Sequence, residues 1–257
     1  MSRHPTAIIH ADAQLHETVE VGPYAVIGPK VKIGAGTTIG PHTVIEGRTT
    51  IGQRNRIFQF AALGAIPQDL KFHGEDGELI IGDDNQIREF ATLHIGTEGG
   101  GMVTRVGNKN LLMAYSHVAH DCVVGNGCIL ANSANLAGHV SLGDHAIVTG
   151  LAAVHQFTRI GKLAFISGGS MVTMDVPPYC TAQGDRAELA GLNTVGLARA
   201  GYSPDQITRV KEAYKTLFRS KLGLNEAVSK VRAQFGGQPE IDHLLEFMTS
   251  STRGVTR

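Results

Sequence analysis

Large aliphatic residues recur every six positions along most of the chain, and the longest uninterrupted run covers residues 106–172. A small or compact side chain stands two positions before each of them. The aliphatic positions of this main run are Val106, Leu112, Val118, Val124, Leu130, Leu136, Leu142, Val148, Val154, Ile160, Ile166 and Val172. A period of six fits neither an α-helix nor a single strand. It is typical of a β-solenoid with one hexad on each side of a triangular coil, so both positions are predicted to point inward.

The same period begins near the N-terminus and is interrupted twice. The earlier aliphatic positions are Ile9, Leu15, Val21, Ile27, Ile33, Ile39, Ile45, Ile51, Ile57, Leu63, Ile81, Ile87 and Leu93. The interruptions are the first loop-out (residues 64–77) and the second loop-out (residues 95–103), which must leave the solenoid at a corner. Loops on rigid scaffolds often carry function. The whole pattern predicts 25 hexads, or about eight coils, over residues 1–184.

The two loop-outs differ in composition. The first contains Asp69, Lys71 and His73, polar side chains that are able to reach a ligand. The second contains three consecutive glycines at residues 99–101, which predicts a flexible loop able to wrap a neighbour. A purely structural loop explains either composition equally well.

The pattern becomes helical in the C-terminal part of the chain. Two prolines at residues 177–178 are predicted to end the solenoid, because proline cannot continue a paired strand. Residues 203–206 form a predicted capping box with Pro204 at the first helical position. Further helices are predicted over residues 187–199, 225–235 and 239–249. Residues 185–257 are therefore expected to form an α-helical domain that caps an all-β solenoid.

Composition restricts the class of protein. The chain is 42% hydrophobic and 18% charged, with 32 glycines and no tryptophan, which fits a well-buried fold with many tight corners. No apolar run approaches the roughly 20 residues that span a membrane, and the N-terminus lacks a signal-like apolar stretch. Two of the three cysteines, Cys122 and Cys128, take inward positions, which favours a reducing compartment. We expect a cytoplasmic protein without a transmembrane segment.

The net charge is zero, but it is unevenly distributed. Residues 1–185 carry 12 Lys and Arg against 16 Asp and Glu, whereas residues 186–257 carry 11 against 7. The basic C-terminal part predicts a docking surface for an acidic partner, although a solvated helix surface has the same balance. No nucleic-acid partner is expected.

Large side chains at outward positions indicate that part of the solenoid surface is buried. These positions are Phe58, Phe60, Met113, Tyr115 and Phe157. Hexad prisms commonly assemble as threefold oligomers, and such an assembly would cover these side chains.

Histidines concentrate in the main run, at His117, His120, His139, His145 and His155. Because coils repeat every 18 residues, Asp121 and His139 are predicted to stack on adjacent coils, with His120 beside both. Surface histidines, a metal site and an acid–base site all remain open. The spacing matches none of the usual zinc patterns, and Ser116 and Cys122 point inward, which makes them poor nucleophiles. A histidine base oriented by a carboxylate fits best.

Motifs along the whole chain resemble the UDP-N-acetylglucosamine O-acyltransferase family, which performs the first step of lipid A biosynthesis. They are QDLKF at 68–72, LLMAYSHVAHDCVVGN at 111–126, ILANSANLAGHV at 129–140, AVHQF at 153–157, DVPPY at 175–179 and STRG at 251–254. The resemblance implies a left-handed parallel β-helix, a homotrimer and active sites between subunits. This hand opposes the usual crossover rule, and the periodicity carries no information about it. No metal or organic cofactor is expected.

The resemblance also implies roles for individual residues. His120 is expected to take the proton from the 3-hydroxyl of UDP-N-acetylglucosamine, and Asp121 to orient His120. The sugar oxygen then attacks the thioester of a 3-hydroxyacyl chain on acyl carrier protein, and the backbone N–H of Gly138 stabilises the oxyanion. The positions expected to hold the nucleotide sugar or the acyl donor are Asp69, Lys71, His117, His139, His155, Gln156, Asn193 and Arg199.

Other positions bear on specificity and docking. Gly168 matches the position where a bulkier side chain shortens the acyl chain in some members, so an open groove and a longer chain are expected. Departures from the family pattern occur at Arg186, Val195 and Ala200. The basic residues expected to dock the acidic carrier protein are Arg199, Arg209, Lys211, Lys215 and Arg219. Two alternatives remain: an N-acyltransferase acting on an amino-sugar analogue of the same pathway, and a metal-binding hexapeptide-repeat protein.

Overall fold

A computed structural model describes residues 3–257. Its strands form three sheets that wind around one axis. The first sheet contains β1 (Ile8–Ile9), β4 (Val26–Ile27), β7 (Val44–Ile45), β10 (Ala62–Ala65), β13 (Thr92–His94), β16 (His117–Val118), β19 (Asn135–Leu136), β22 (Ala153–Val154) and β25 (Met171–Val172). The second sheet contains β2 (Gln14–Leu15), β5 (Lys32–Ile33), β8 (Arg48–Ile51), β11 (Glu78–Ile81), β14 (Val103–Val106), β17 (Val123–Val124), β20 (Ser141–Leu142) and β23 (Arg159–Ile160). The third sheet contains β3 (Glu20–Val21), β6 (Thr38–Ile39), β9 (Arg56–Ile57), β12 (Gln86–Ile87), β15 (Leu111–Leu112), β18 (Ile129–Leu130), β21 (Ile147–Val148), β24 (Phe165–Ile166), β26 (Cys180–Gln183) and β27 (Glu188–Leu192).

The predicted hexads coincide with the strands. Each of the 25 hexads contains one strand, from β1 to β25, and successive strands of a sheet pair in parallel. Ile27 pairs with Ile45, one coil of 18 residues later. Across the first loop-out Leu63 pairs with Leu93, and across the second Leu93 pairs with Val118. The aliphatic positions therefore stay in register across both insertions, and the pairing shifts only after Leu63, where Ala65 pairs with His94.

The inward positions form a continuous core, as predicted. Every aliphatic hexad position from Val21 to Val172 is buried, and so is the small position two residues earlier. Several of the polar small residues hydrogen-bond along the axis: the N–H of Asn110 donates to Asn85 Oδ1 (2.9 Å), and the N–H of Cys128 donates to Asn110 Oδ1 (2.7 Å). Within residues 3–257, Asn110 Nδ2, Ser116 Oγ and Thr158 Oγ1 are buried without a hydrogen-bond partner.

The corners of the prism place residues in the left-handed backbone region. Between the third and first sheets, five corner residues have φ of 56° to 62° and stack their rings 4.8 to 5.2 Å apart. This aromatic corner consists of Tyr24, His42, Phe60, Phe90 and Tyr115. Its Tyr and Phe side chains are 42% to 59% exposed.

The C-terminal part contains four helices: α1 (Thr194–Arg199), α2 (Pro204–Phe218), α3 (Leu224–Phe235) and α4 (Pro239–Thr249). The predicted capping box at the start of α2 is confirmed, with Ser203 and Gln206 bonded reciprocally. The helix predicted over residues 187–199 is wrong in its first half, because β27 pairs there with β26. The prolines were also a wrong end point, because β26 resumes parallel pairing with β24. The open edge of the third sheet is satisfied by these two strands.

One buried carboxylate joins the solenoid to the C-terminal helices. Asp175 is 1% exposed and accepts hydrogen bonds from the Arg159 backbone (2.8 Å) and from Ser251 Oγ (2.9 Å). The Arg159 guanidinium donates to Asp175 Oδ2 (3.0 Å) and to the carbonyl of Phe247 at the end of α4 (2.9 Å). Over residues 3–257 no helix has the length and apolar character needed to cross a membrane.

Candidate active site

One cavity of about 740 Å³ collects most of the predicted site residues. It lies on the outer face of the first sheet, where that sheet turns into the second, and the first loop-out forms one wall. Its lining includes Asp69, Lys71, His94, His117, His120, Gly138, His139, Gln156 and Phe157. Four residues stand beside this cavity at the corner between the first and second sheets: His120, Asp121, His139 and Phe157. They are called the histidine corner below.

His120 and Asp121 form a hydrogen-bonded pair at this corner. His120 Nδ1 lies 2.8 Å from Asp121 Oδ2, and the two side chains are 13% and 0% exposed. Because a carboxylate only accepts, Nδ1 carries a proton, and in the neutral imidazole Nε2 is then the nitrogen with the lone pair. The pair therefore has the arrangement of a neutral imidazole base whose second nitrogen is free to accept a proton.

The burial of Asp121 depends on the second loop-out. The backbone N–H of Thr97 donates to Asp121 Oδ1 (2.9 Å), and Thr97 Oγ1 donates to Oδ2 (2.6 Å). The backbone N–H of Asp121 donates to Thr104 Oγ1 (2.7 Å). Asp121 is a corner residue, yet it is only 6% exposed because the second loop-out covers it. No sequence pattern indicated Thr97, because composition does not show whether a loop folds back over its corner or extends into solvent.

Gly138 lies directly against the His120 ring. A Cβ added at residue 138 would stand 2.5 Å from His120 Cε1 and 2.6 Å from Nε2, closer than real Cβ atoms approach. Within residues 3–257 the backbone N–H of Gly138 has no hydrogen-bond acceptor. A free donor therefore stands beside the basic nitrogen.

The other imidazoles of the cavity wall are uncharged at neutral pH. Burial, with smaller contributions from His117 and His120, lowers the pKa of His94 to about 4. Burial likewise lowers the pKa of His117, whose Nδ1 lies 2.7 Å from Thr92 Oγ1, and that of His139. Neutral rings suit hydrogen bonds to hydroxyl and amide groups better than anion binding. His94 was not predicted as a site residue. The 25-residue step between strands across the second loop-out would have placed it beside the His117 strand.

The first loop-out places an acid and a base in the same wall. Asp69 Oδ2 lies 4.0 Å from His120 Nε2, and the N–H of Lys71 donates to Asp69 Oδ1 (3.0 Å). His73, in contrast, is absent from the cavity lining, and its N–H donates to Glu75 (2.8 Å).

Four of the residues predicted to bind substrate lie outside this cavity. His155 is exposed, and its Nδ1 lies 2.9 Å from Arg253 Nη2 in the C-terminal STRG motif. Gly168 stands at a corner beside Gly150, where an added Cβ would have ordinary contacts at 3.4 Å. Asn193 and Arg199 line a second cavity of about 770 Å³ on the third sheet, with Ile129, Ile147 and Phe165. The two cavities thus occupy adjoining prism faces that meet at the aromatic corner.

The basic residues of α2 and of its C-cap fall into two groups, two that are bonded within the chain and two that are not. Arg209 forms an ion pair with the buried Glu240 (2.8 Å), and Arg219 donates to the carbonyl of Leu189 (3.1 Å). Lys211 and Lys215 are exposed and have no ion pair within the part of the chain that the structure describes. These two lysines are the ones available to an acidic partner.

The histidine corner also has the ligand types of a metal site. One ligand atom each of His120, Asp121 and His139 lies within 4.8 Å of the others. Both oxygens of Asp121 already accept hydrogen bonds from Thr97, and Oδ2 also accepts from His120. A metal ion would have to displace these donors, so the arrangement fits an imidazole–carboxylate pair better.

Comparisons with known proteins agree with this site and fold. The family model described as Udp N-acetylglucosamine O-acyltransferase, domain 2, matches residues 175–256, and the bacterial transferase hexapeptide model matches residues 12–47 and 104–138. An acyl-[acyl-carrier-protein]–UDP-N-acetylglucosamine O-acyltransferase from Myxococcus xanthus is 69% identical, over 99% of this chain and 98% of that protein. The enzyme of that name from Anaeromyxobacter dehalogenans is 56% identical over 100% of both chains.

Solved structures show the same fold. The UDP-N-acetylglucosamine O-acyltransferase from Moraxella catarrhalis superposes with a TM-score of 0.97 at 43% identity, covering 100% of both chains. The UDP-N-acetylglucosamine acyltransferase from Campylobacter jejuni gives a TM-score of 0.94 at 39% identity, covering 99% of both chains. The expected left-handed parallel β-helix of hexapeptide repeats is thereby confirmed. With whole-length identity of this order, the chain is an acyltransferase that belongs to the UDP-N-acetylglucosamine O-acyltransferase family.

Proposed function

We propose that the protein transfers a 3-hydroxyacyl chain from acyl carrier protein to the 3-hydroxyl of UDP-N-acetylglucosamine, the first step of lipid A biosynthesis. The observation that carries this proposal is the His120–Asp121 pair, in which Nδ1 is bonded to a buried carboxylate, so that Nε2 is the nitrogen that faces the substrate as base in the neutral ring. The named relatives act on the same two substrates.

In the proposed reaction His120 is the general base. Its Nε2 takes the proton of the sugar 3-hydroxyl as the oxygen attacks the thioester carbonyl. Asp121 stabilises the imidazolium that forms, and the free N–H of Gly138 donates to the oxyanion of the tetrahedral intermediate. The carbon–sulfur bond then breaks, and the imidazolium returns its proton to the leaving thiolate. The products are the 3-O-acylated sugar nucleotide and free carrier thiol.

The substrate-binding roles form part of the same proposal. Asp69, Lys71, His117, His139 and Gln156 line the catalytic cavity and are assigned to the sugar nucleotide. His155, Asn193 and Arg199 lie outside this cavity and are also assigned to the nucleotide sugar or the acyl donor. Gly168 leaves the acyl groove open. One methylene in an apolar groove discriminates by about 1–3 kcal/mol, so the size of the residue at position 168 is a suitable ruler of chain length.

We place the complete site between subunits of a homotrimer. The catalytic cavity and the cavity around Asn193 and Arg199 occupy adjoining faces of one chain, so they cannot face each other within it. If three chains meet at their aromatic corners, the first face of one chain lies opposite the third face of the next. Closed cyclic assembly is the usual outcome of such unlike contacts.

The experiment is an acyl-transfer assay with UDP-N-acetylglucosamine, its 3-amino analogue and a series of 3-hydroxyacyl carrier proteins. We expect transfer to the 3-hydroxyl, and a loss of about 10³-fold in kcat on His120→Ala. His16→Ala is the matched control, because it removes an exposed histidine of an N-terminal coil that lies outside both the cavity and the aromatic corner. Full activity of His120→Ala would sink the mechanism, and preference for the amino sugar would reassign the product to an amide.

The carrier-docking proposal has its own test. Reversing Lys211 and Lys215 to Glu should raise KM for the acyl carrier about tenfold without changing kcat, and the effect should shrink as salt screens the interaction. Lys230→Glu, an equally exposed lysine on α3, is the control. An unchanged KM in the double variant would remove α2 from the docking surface.

A further inference from the structure

We propose that the second loop-out is a clamp that holds Asp121 ionised and aimed at His120, with Thr97 as a positioning residue. This inference rests on the proposed function, in which His120 is the base. The loop-out contributes no residue to the cavity lining, so its part in the site is exerted through Asp121.

The clamp is one turn of backbone that contacts Asp121 at both of its ends, through Thr97 and through Gly100. Residues Glu98–Gly100 form a short 3₁₀ helix that begins after Thr97 and ends at Gly101 with φ of 89°. Thr97 supplies two donors to the carboxylate, its N–H to Oδ1 (2.9 Å) and its hydroxyl to Oδ2 (2.6 Å). At the other end of the turn Gly100 lies so close that any Cβ there would overlap the Asp121 carboxylate.

These contacts favour the charged form of a carboxylate that is buried. Burying an unpaired charge is strongly unfavourable, whereas hydrogen-bond donors aimed at the oxygens favour the charged form. Thr97 is itself only 5% exposed, so its donors are shielded from competing water. Oδ2 accepts from both the Thr97 hydroxyl and His120 Nδ1. The threonine therefore limits how much negative charge the carboxylate presents to the imidazole.

Removing the hydroxyl should change the basicity of His120 in a defined direction. With one donor fewer, Asp121 presents more negative charge to the ring and favours the imidazolium. The other groups around the ring are Asp69, His139, His117 and His94, and Lys71 lines the same cavity; none of them changes in the variant. The acidic limb of the pH–rate profile should therefore move to higher pH.

The first test compares Thr97→Val with Thr97→Ser. Thr97→Val should lower kcat about tenfold, leave KM unchanged and shift the acidic limb upward by about half a unit. Thr97→Ser keeps the hydroxyl and should retain the wild-type profile. Thr43→Val, which removes another buried hydroxyl from an N-terminal coil, controls for stability alone. An unshifted profile in Thr97→Val, or equal losses in the Ser and Val variants, would overturn the proposal.

The second test uses neighbouring glycines. Gly100→Ala should displace the Asp121 carboxylate and lower kcat about 100-fold, whereas Gly99→Ala, where an added Cβ meets nothing within 4 Å, should behave as wild type. Equal behaviour of the two variants would show that the close approach of Gly100 is unimportant.

A third measurement separates this proposal from the proposed function. Titration of the His120 ring by NMR, on protein with labelled histidine, follows the imidazole without any turnover. If His120→Ala retains full transfer but Thr97→Val still shifts the His120 titration, the clamp stands and the assigned base is wrong. If His120→Ala is inactive but Thr97→Val leaves the titration unmoved, the base stands and the clamp is wrong.

Discussion

Two corners of the same prism carry side chains on almost identical backbone, but they differ in burial. Corner residues have φ of 56° to 62° in the aromatic corner and 59° to 64° at Asp121, His139 and Phe157. Rings also stack in both, at 4.8 to 5.2 Å in the first and at 4.3 Å between His139 and Phe157 in the second. Yet Tyr115 is 59% exposed and Asp121 only 6%.

The difference comes from the two loop-outs, which leave the solenoid beside the histidine corner. One supplies Asp69 and Lys71 to the cavity wall, and the other covers Asp121 through Thr97. Excluding water strengthens the interaction between imidazole and carboxylate, because the local dielectric constant falls. The repeat therefore sets the spacing of the corner side chains, and the insertions decide which corner has an environment suited to catalysis.

The largest effect is expected when the carboxylate of Asp121, which the second loop-out covers, is replaced by an uncharged amide. Asp121→Asn should lower kcat about 10³-fold with little change in KM, because an amide can present an N–H to His120 Nδ1 and favour the wrong tautomer. Asp144→Asn is the control: Asp144 also accepts backbone and side-chain donors at a corner, but without a histidine partner. A kcat for Asp121→Asn above a tenth of the wild-type value would contradict the assigned role.

A smaller loss is expected when the packing beside His120 is disturbed. Gly138→Ala places a methyl group 2.5 Å from His120 Cε1, so either the ring or the backbone must move. Overpacking of this kind typically costs about 1–3 kcal/mol, which predicts a fall in kcat of about 100-fold. Gly28→Ala, where the added methyl meets nothing closer than 3.4 Å, should leave the rate unchanged. Steady-state kinetics with thermal melts decides whether the loss is catalytic.

The aromatic corner should respond through assembly rather than chemistry. Replacing Phe60 and Phe90 together by Ser removes two partly exposed rings, worth about 2 kcal/mol of contact in a trimer, or about thirtyfold in association. Light scattering should show smaller species at low micromolar concentration, and specific activity should fall on dilution. Val123→Ser, equally exposed but on the second sheet away from this corner, is the control. An unchanged mass on dilution would remove the corner from the interface.

Periodicity was sufficient for the solenoid, because each hexad position has one steric role. Large aliphatics fill the prism, small residues fit its corners, and the register follows from the step of 18 residues. The same rule placed Asp121 beside His139 on the next coil, where their nearest polar atoms are 3.9 Å apart. The helix predicted from local spacing at residues 188–192 was wrong, because this segment pairs as a strand with the open edge of the third sheet.

The paths of the two loop-outs could not be predicted from the six-residue period, because neither loop-out contains the repeat. Thr97 and Gly100 reach Asp121 by folding back over the corner, and no spacing in the sequence indicates that. His94 was missed for the related reason that the second loop-out changes the step to 25 residues. Asn193 and Arg199 lie across a prism corner from His120, and only an assembly would bring another copy of them to it.

The smallest effect concerns His94, the buried histidine of the catalytic cavity, in contrast to His42 on the aromatic corner. The folded pKa of His94 is about 4, against an ordinary 6.5. Between these values the unfolded chain binds a proton that the folded chain does not, so the free energy of unfolding falls as pH drops from 6.5 towards 4. At about 1.36 kcal/mol per pH unit, the loss from this residue between pH 7 and pH 5 is about 2 kcal/mol.

Denaturant unfolding at the two pH values measures this loss. His94→Gln should lose about 2 kcal/mol less than wild type between pH 7 and pH 5, whatever its stability at pH 7, because glutamine takes up no proton. His42→Gln removes an exposed ring and should lose as much as the wild type. Buried His117, whose pKa is also lowered, remains in both variants and gives them a common residual slope. If His94→Gln shows the same difference in unfolding free energy between pH 7 and pH 5 as the wild type, the acid sensitivity arises elsewhere. Burial in the cavity then does not keep His94 neutral.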